Sequence, residues 1–558
     1  MILNGVSTTA FPTVLAVCCY FTLLPLQHVR EMFNRAVTAA QLKPWLKFNY
    51  ILKNVTFTVR SFCNSCPRYS NKDDEPVKPS ILVPEDFQAE LDGETYCPPL
   101  AQPIKPHVHP IKKSFDLLGI TGRNDPKTHN NLYFPRHCDI LIIGGGIMGC
   151  SIAYWLKQRG HDNGLRVIVV EQDPSYTRAS TVLSVGGLRQ QFSLPENIEM
   201  SLYGAEFLRK SKKLLSGEGL EGPDVQFHPF GYLFLATEKG ADQLIANHKL
   251  QTSLGAKIQL LSANKLKQKF PWINTDGVEL ASLGLENEGW FDPWSLLNGF
   301  RNKALEMGVE FVKAETVGFE TQETIVPEQP GIGDSGCYHK LKRVHVRLHD
   351  GDIRTIDFSK CVMAAGAQSG KVSKLAGIGL GTGLLRNALP VEPRKRYVYC
   401  FHAPEGPGLD CPLTVDTTGS YFRREGLGGH YVAGKSPTAN EEPGVANLDV
   451  DYTFFDQQVW PDVALRVPGF ENIKLKSAWS GYYDYNTFDQ NGVIGIHPYH
   501  TNFLFATGFS GHGLQQAPAV GRAIMELVLE GKFLTIDLSR FAFDRVIANQ
   551  PVFEQNIV

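Results

Sequence analysis

The chain of 558 residues has almost no net charge, with 55 lysines and arginines against 57 aspartates and glutamates. No basic field exists to draw in nucleic acid, so a nucleic-acid partner is not expected. Long apolar runs are also missing. The run Val14–Leu24 is bracketed by Pro12 and Pro25 and falls short of the ~20 apolar residues that span a membrane, so membrane association is expected to be peripheral at most. The 11 cysteines are odd in number and irregular in spacing, which makes a poor disulfide framework and fits a reduced compartment. Cys63 and Cys66 form a CxxC with no second ligand pair nearby, leaving only a weak metal or redox reading. There is no G-x-y period, internal repeat, charge block or low-complexity tract, which excludes collagen and solenoids.

What is present is a globular composition, 43% hydrophobic and 20% charged, with a glycine surplus of 52 residues. Such a surplus sits in turns and in loops that approach a ligand closely. Residues 1–70 carry Arg30, Arg35, Lys43, Lys47, Lys53, Arg60 and Arg68 against one acid, Glu31. A basic, acid-poor, hydroxylated leader points to a mitochondrial address. Val14–Leu24 has the length of a secretory apolar region, but the basic residues follow it rather than precede it. Residues 71–136 are punctuated by proline and read as a linker or arm.

From Cys138 the pattern changes. Asp139–Ile143 is an apolar strand, a helical stretch runs to about Arg159, and Arg166–Val170 is a second apolar strand. This is the size of a βαβ unit. Between strand and helix lies Gly144-Gly145-Gly146-Ile147-Met148-Gly149, a G-x-G-x-x-G loop. Gly144 permits the tight turn, Gly146 lets backbone approach a pyrophosphate, and Gly149 allows helix and strand to pack closely. Glu171 ends the second strand, where a carboxylate accepts from a ribose hydroxyl and repels a 2′-phosphate. NAD and FAD both fit to this point.

Two further stretches decide between them. Ser180, Thr181 and the run Ser184–Arg189, including Gly187, offer small and hydroxylated residues to a long cofactor. Phe503–Ala506 is another apolar strand, followed by Thr507-Gly508-Phe509-Ser510-Gly511-His512-Gly513 and a helix beginning at Leu514. A second free helix N-terminus suits the negative charge that a flavin gains on reduction.

These residues, with Ala364-Ala365-Gly366-Ala367, resemble the D-amino-acid oxidase-type FAD oxidoreductases, closest to the sarcosine oxidase, dimethylglycine dehydrogenase and glycine oxidase-like members. Longer stretches such as SVGGLRQQFSLPENI and SAWSGYYDYNTFDQNGVIG are similar to mitochondrial flavoproteins linked to assembly of respiratory complex I. The resemblance covers about residues 137–558. It implies an α/β fold in which a doubly wound, Rossmann-like FAD domain (about 137–195, 358–390 and 477–540) interleaves with an α+β substrate domain on a large mixed or antiparallel sheet (about 196–357 and 391–476). Residues 541–558 are left as a tail. It further implies oxidation of a secondary or tertiary amine such as an N-substituted amino acid, with complex I subunits or assembly intermediates as partners in the mitochondrial matrix or on the matrix face of the inner membrane.

Such chemistry needs a held carboxylate and aromatic walls. Arg189, Arg423, Tyr483 and His512 are the candidate substrate or flavin contacts. Each has an ordinary alternative: a surface cation for the arginines, core packing for the tyrosine, backbone satisfaction for the histidine. Arg394-Lys395-Arg396 reads as a solvated face or a steering patch. Two departures stand out. The lysine that sarcosine oxidase-type enzymes carry two residues after GHG is Gln515, and the aromatic that follows Ala-Ala-Gly-Ala is Gln368. No cysteine lies near Tyr482–Tyr483, where some relatives attach flavin, so noncovalent FAD is expected. An active amine oxidoreductase and a flavin-bound assembly factor with a vestigial cleft both remain open.

Overall fold

A computed structural model of the chain describes residues 134–160, 164–325 and 337–556. The leader, most of the proline-rich arm and the Cys63–Cys66 pair lie outside the described residues. Eighteen strands follow in chain order: β1 (His137–Ile143), β2 (Val167–Glu171), β3 (Gly187–Leu188), β4 (Tyr232–Ala236), β5 (Ile258–Ser262), β6 (Leu280–Gly284), β7 (Gly289–Trp290), β8 (Glu310–Lys313), β9 (Glu315–Ile325), β10 (Cys337–Arg347), β11 (Ile353–Met363), β12 (Val391–His402), β13 (Leu413–Val415), β14 (Ser420–Glu425), β15 (His430–Lys435), β16 (Lys474–Asn486), β17 (Val493–Ile496) and β18 (Phe503–Thr507). The long helices are α1 (Ile147–Gly160), α2 (Pro195–Leu214), α3 (Glu238–Ser253), α4 (Pro293–Glu306) and α5 (Gly513–Leu529).

The first sheet runs β17-β18-β11-β1-β2-β8. Its central strands are parallel, and the antiparallel β9 and β10 extend it through the long β11. Strands β2 and β18 are apolar on both faces, as a sheet covered on both sides requires. Strand β1 lies between β2 and β11, so the chain leaves its carboxyl end at the point where strand order reverses, where such sheets bind ligands. The second sheet runs β16-β12-β15-β14-β13-β4-β6-β5 and is antiparallel except where β13 pairs with β4. The fold is thus the expected α/β arrangement of two interleaved sheets.

Two segment boundaries move. Residues 310–347 were expected in the substrate part, yet β8, β9 and β10 join the first sheet, because β8 continues the parallel edge beyond β2. Conversely, β16 was expected in the FAD part but pairs along its length with β12 in the second sheet. The Asp350-Gly351 turn joins β10 to β11, with Gly351 at φ +91°.

Helix α1 packs on α5 with close backbone approach. Ser151 Oγ donates to Ala517 O (2.7 Å) and Trp155 Nε1 to Pro518 O (2.9 Å). A Cβ on Gly521 would meet the Ser151 backbone carbon at 2.8 Å as well as its side chain, so the two helices cannot hold their separation around a larger residue. Gly521→Ala is therefore expected to lower stability by about 1–3 kcal/mol in denaturant unfolding, and an unchanged midpoint would refute this tight crossing.

Candidate functional site

Three loops meet at the carboxyl end of the first sheet. Gly144 turns at φ +101°, and a Cβ there would strike the Ala364 carbonyl, so this turn admits only glycine. Gly149 is similarly confined: a Cβ would meet the Gly144 carbonyl and, at 3.3 Å, Ile142 Cγ2. Gly146 is different. Among the described residues the only atom near its Cβ position is Thr181 Oγ1 at 3.5 Å, so the backbone lies open to an approaching group. Nothing among the described residues demands glycine there, which leaves room for a ligand to approach the backbone.

Met148 is buried in the first turn of α1, and the Ile147 N–H donates to Thr181 Oγ1 (3.2 Å). That amide, expected to be free for an anion, is already engaged, because the 179–184 turn lies directly over the helix start. Ser180 sits half-buried in that turn. Glu171 accepts from Gly145 N (2.7 Å) and Asp173 N (2.8 Å). Burial pushes its carboxyl above the ordinary range, ahead of the lowering by these two amides.

Behind this cradle, residues 181–189 run between the sheets. Leu183 O accepts from Trp479 Nε1 (2.9 Å), Val185 O accepts from Arg423 Nε (3.0 Å), and the Gly187 Cβ position faces Leu413 and Tyr232. The third loop, 507–512, is tied to β16. Asp484 accepts from Gly508 N (2.9 Å) and Phe509 N (3.0 Å), and Ser510 Oγ accepts from Asn486 N (3.0 Å). Burial pushes Asp484 up to about 6 despite those two donors. Gly511, at φ +101°, lies so close to the Tyr483 ring that a Cβ would come within 2.5 Å.

Helix α5 opens at Gly513 and Leu514, with His512 at its cap position. The His512 ring packs on Phe192 at 5.4 Å, and its Nε2 is buried without a hydrogen-bond partner. Burial and the neighbouring Arg189 charge push His512 down to about 3, so it is a neutral imidazole.

Arg189 stands beside it, buried, with its guanidinium 4.1 Å from the Phe192 ring centre, 5.1 Å from that of Phe234 and 5.9 Å from that of Tyr232. Its Nη1 donates to Gln191 O, its Nη2 to Asn556 O, and its backbone N–H to Gln515 Oε1. Among the described residues no carboxylate forms an ion pair with it. Burial lowers its pKa, but a guanidinium keeps its proton.

The residues matching the FAD dependent oxidoreductase family model are 139–527. The chain belongs to that family. It is 54% identical over 430 residues to the FAD-dependent oxidoreductase domain-containing protein 1 of Xenopus laevis, covering 76% of this chain and 85% of that relative. Among solved structures it is similar to L-proline dehydrogenase from P. horikoshii, at 25% identity and TM-score 0.61, covering 75% of this chain and all of the other. Glycine oxidase from Geobacillus kaustophilus shares the fold at 21% identity and TM-score 0.57, covering 73% of this chain and 98% of the other. FAD is accordingly the cofactor. The open backbone at Gly146, the Glu171 carboxylate and the unpaired buried Nε2 of His512 fit it.

In this flavoprotein the candidate residues do not all converge. Arg189 and His512 share Phe192, and Tyr483 walls the Gly511 turn. Arg423, expected to offer a free cation to the cavity, is instead committed to Glu425 (2.5 Å), Val185 O and Arg424 O. Arg423 and Glu425 stand two residues apart on one strand, which puts both side chains on the same side. The basic run is not a solvated face either. Glu442 takes the Arg396 guanidinium through two hydrogen bonds (3.0 and 2.9 Å), and Lys395 Nζ donates to Asp449 O (3.2 Å). Gln515, standing where a lysine was expected, serves the backbone of Arg189.

Sequence reasoning missed Asp484 and Glu288. Glu288 is buried; its Oε1 accepts from Gln190 N (2.7 Å) and its Oε2 from Gln191 Nε2 (2.8 Å), fixing the segment that carries Arg189. Among the described residues no group of His, Cys, Asp or Glu is arranged to hold a metal ion. Burial raises the Cys138 and Cys150 thiols to about 12, so neither is a nucleophile near neutral pH.

Two outcomes follow from the glycines and from Glu288. Gly146→Ala is expected to fold like the parent but to weaken FAD binding about tenfold or more in titration of the apoprotein; equal affinity would refute the open-backbone reading. Glu288 is raised by burial from 4.5 to about 7. The folded chain holds that proton more tightly than the unfolded chain, so the contribution is fully present below about pH 4.5 and is lost as pH rises through about 7. Glu288→Gln is expected to flatten the fall in unfolding free energy between pH 5 and 7.5; an unchanged slope would contradict it.

Proposed function

We propose that this flavoprotein oxidises an anionic secondary or tertiary amine, an N-substituted amino acid, with noncovalently bound FAD, and that it acts in mitochondria in support of complex I assembly. The observation that carries the substrate class is Arg189. It is a buried cation among aromatic faces near the start of α5, capped by neutral carbonyls and, among the described residues, without an ion-pair partner. A carboxylate is the complementary ligand.

When bound, FAD accepts the hydride lost from the carbon next to nitrogen. The protein's own groups then have four tasks. Arg189 holds the carboxylate, Tyr232 and Tyr483 exclude water around the alkyl groups, and neutral His512 leaves the local charge to Arg189. Asp484 keeps the 508–509 amides fixed at the head of α5. Proline is a secondary amine bearing a carboxylate, so the name of that structural neighbour agrees with this class, whereas glycine, a primary amine, shares only the carboxylate. The basic first 70 residues support the mitochondrial address. The complex I role rests on the sequence resemblance, and association with the inner membrane is peripheral. Among the described residues no helix is long and apolar enough to cross a membrane.

Gln515 favours a second reading. The cation that carboxylate-binding relatives carry is replaced by an amide engaged in structure, as in a flavin-bound assembly factor whose cleft no longer turns over. Anaerobic bleaching separates the two. N-methyl amino acids and L-proline are expected to bleach the flavin, whereas pyrrolidine, which lacks the carboxylate, does so far more slowly. Arg189→Met is expected to cut kcat/KM by about 10–100-fold, the loss of one charge-assisted interaction of 1.5–3 kcal/mol. Equal rates for proline and pyrrolidine would overturn the anionic-amine reading. No bleaching by any amine, with complex I restored by Arg189→Met in cells lacking the protein, would establish the scaffold.

A further inference from the structure

The last described residues form a strap across the segment that carries Arg189. After the helical turn Asp544–Ile547, the strap is pinned first at Val552, whose N–H donates to Asp489 Oδ2 (3.1 Å) and whose carbonyl accepts from Asn491 Nδ2 (2.6 Å). It is pinned again by Glu554, which is only 6% exposed. Glu554 Oε1 accepts from Ser193 N (2.7 Å), Ser193 Oγ (2.6 Å) and Asn556 N (3.0 Å). Its Oε2 accepts from Leu194 N (3.3 Å) and Asn197 Nδ2 (2.9 Å).

Leu194 is the cap residue of α2 and has no side-chain acceptor of its own. Glu554 therefore supplies from a distant part of the chain both the hydrogen-bond acceptor and the negative charge that a helix N-terminus favours. Two residues on, Asn556 Nδ2 donates to Gln191 O (3.3 Å), and the Asn556 carbonyl accepts from Arg189 Nη2.

We propose that this strap builds the anion site: Glu554 docks Asn556, and Asn556 orients the Arg189 guanidinium for a substrate carboxylate. The inference rests on the anionic-amine reading above. A long arginine side chain loses rotamer freedom when fixed, and an acceptor already in place removes that cost from ligand binding. A carbonyl is suited to the task because it engages an N–H without cancelling the charge. The guanidinium has five N–H groups, and those not engaged by Gln191 O and Asn556 O serve the ligand. Glu554 and Asn556 are positioning residues: they act through Arg189.

The sign of one effect separates positioning from simple electrostatics. Glu554 is a negative charge near Arg189 and helps to hold its proton. If charge were its whole role, removing it would tighten anion binding. If it docks the strap, removing it weakens anion binding.

The test is calorimetric titration of the FAD-loaded protein with benzoate, with benzyl alcohol as the uncharged control, alongside carboxypeptidase digestion to report strap release. Glu554→Ala is expected to weaken benzoate binding about tenfold, to leave benzyl alcohol unchanged and to expose the C-terminal residues to digestion. Glu554→Gln, which keeps an acceptor oxygen, is expected to retain most of the affinity. A variant ending at Val552, with Glu554 and Asn556 both gone, should match Glu554→Ala. Unchanged or tighter benzoate binding in Glu554→Ala with a released strap would overturn the proposal while leaving the site reading intact. If the parent protein fails to bind benzoate, or binds it equally well as Arg189→Met, the site reading itself fails and this inference with it.

Discussion

Arg189 is buried against Phe192, Phe234 and Tyr232 with carbonyl oxygens as its hydrogen-bond acceptors and no carboxylate in ion-pair range among the described residues. An isolated buried cation is costly, and proteins tolerate it where hydrogen bonds, aromatic faces or a ligand offset the lost hydration. Much of the surrounding structure meets that demand. The three rings offer their negative faces to the guanidinium. Gln515 fixes the Arg189 backbone from α5, and Glu288 clamps Gln190 and Gln191. The carboxylates nearest in effect, Glu288 and Glu554, are committed to other donors, so neither cancels the charge.

The same economy explains the interleaved fold. The glycine loops at 144–149 and 507–512 belong to the first sheet and the aromatic walls to the second, and residues 181–189 thread between them. Beside the local contacts to Gln191 and Phe192, Arg189 is fixed by contacts that cross a long stretch of sequence, to Gln515 on α5 and to Asn556. The site therefore exists only when both sheets are formed. Bound FAD, touching the same loops, would add stability in proportion to its affinity and concentration.

The parts that were legible in the sequence are those with local signals. Strands apolar on both faces, such as Val167–Glu171 and Phe503–Thr507, followed by glycine and a helix, are readable because pattern and structure share the same few residues. Helix α5 begins at Gly513, one residue before its expected start at Leu514, because the glycine loop and the apolar run that follow Phe503–Thr507 mark it locally. What was hidden depends on distant partners. Glu288 looks like a surface acid between two loops until the fold closes Gln190 and Gln191 over it. Asp484 sits among tyrosines and gives no sign that its role is to hold the amides of Gly508 and Phe509. Strand β16 opens the stretch 477–540 expected in the FAD part, and its pairing with β12 in the second sheet is not legible locally because that partner lies far earlier in the chain. A sequence that marks Arg423 as a candidate contact does not show that Glu425, two residues on and on the same side of the strand, neutralises it.

The proposed function turns on Arg189 as the residue that would receive the substrate's carboxylate. The most direct measurement is a crystal structure of the FAD-loaded protein with tetrahydro-2-furoate, the oxygen analogue of proline, which has no amine to oxidise. Carboxylate oxygens are expected within hydrogen-bond distance of the Arg189 guanidinium, at about 2.7–3.2 Å, with the contacts to Gln191 and Asn556 retained. A carboxylate found instead on Arg396 in place of Glu442, or on Arg423 in place of Glu425, with Arg189 untouched, would contradict it.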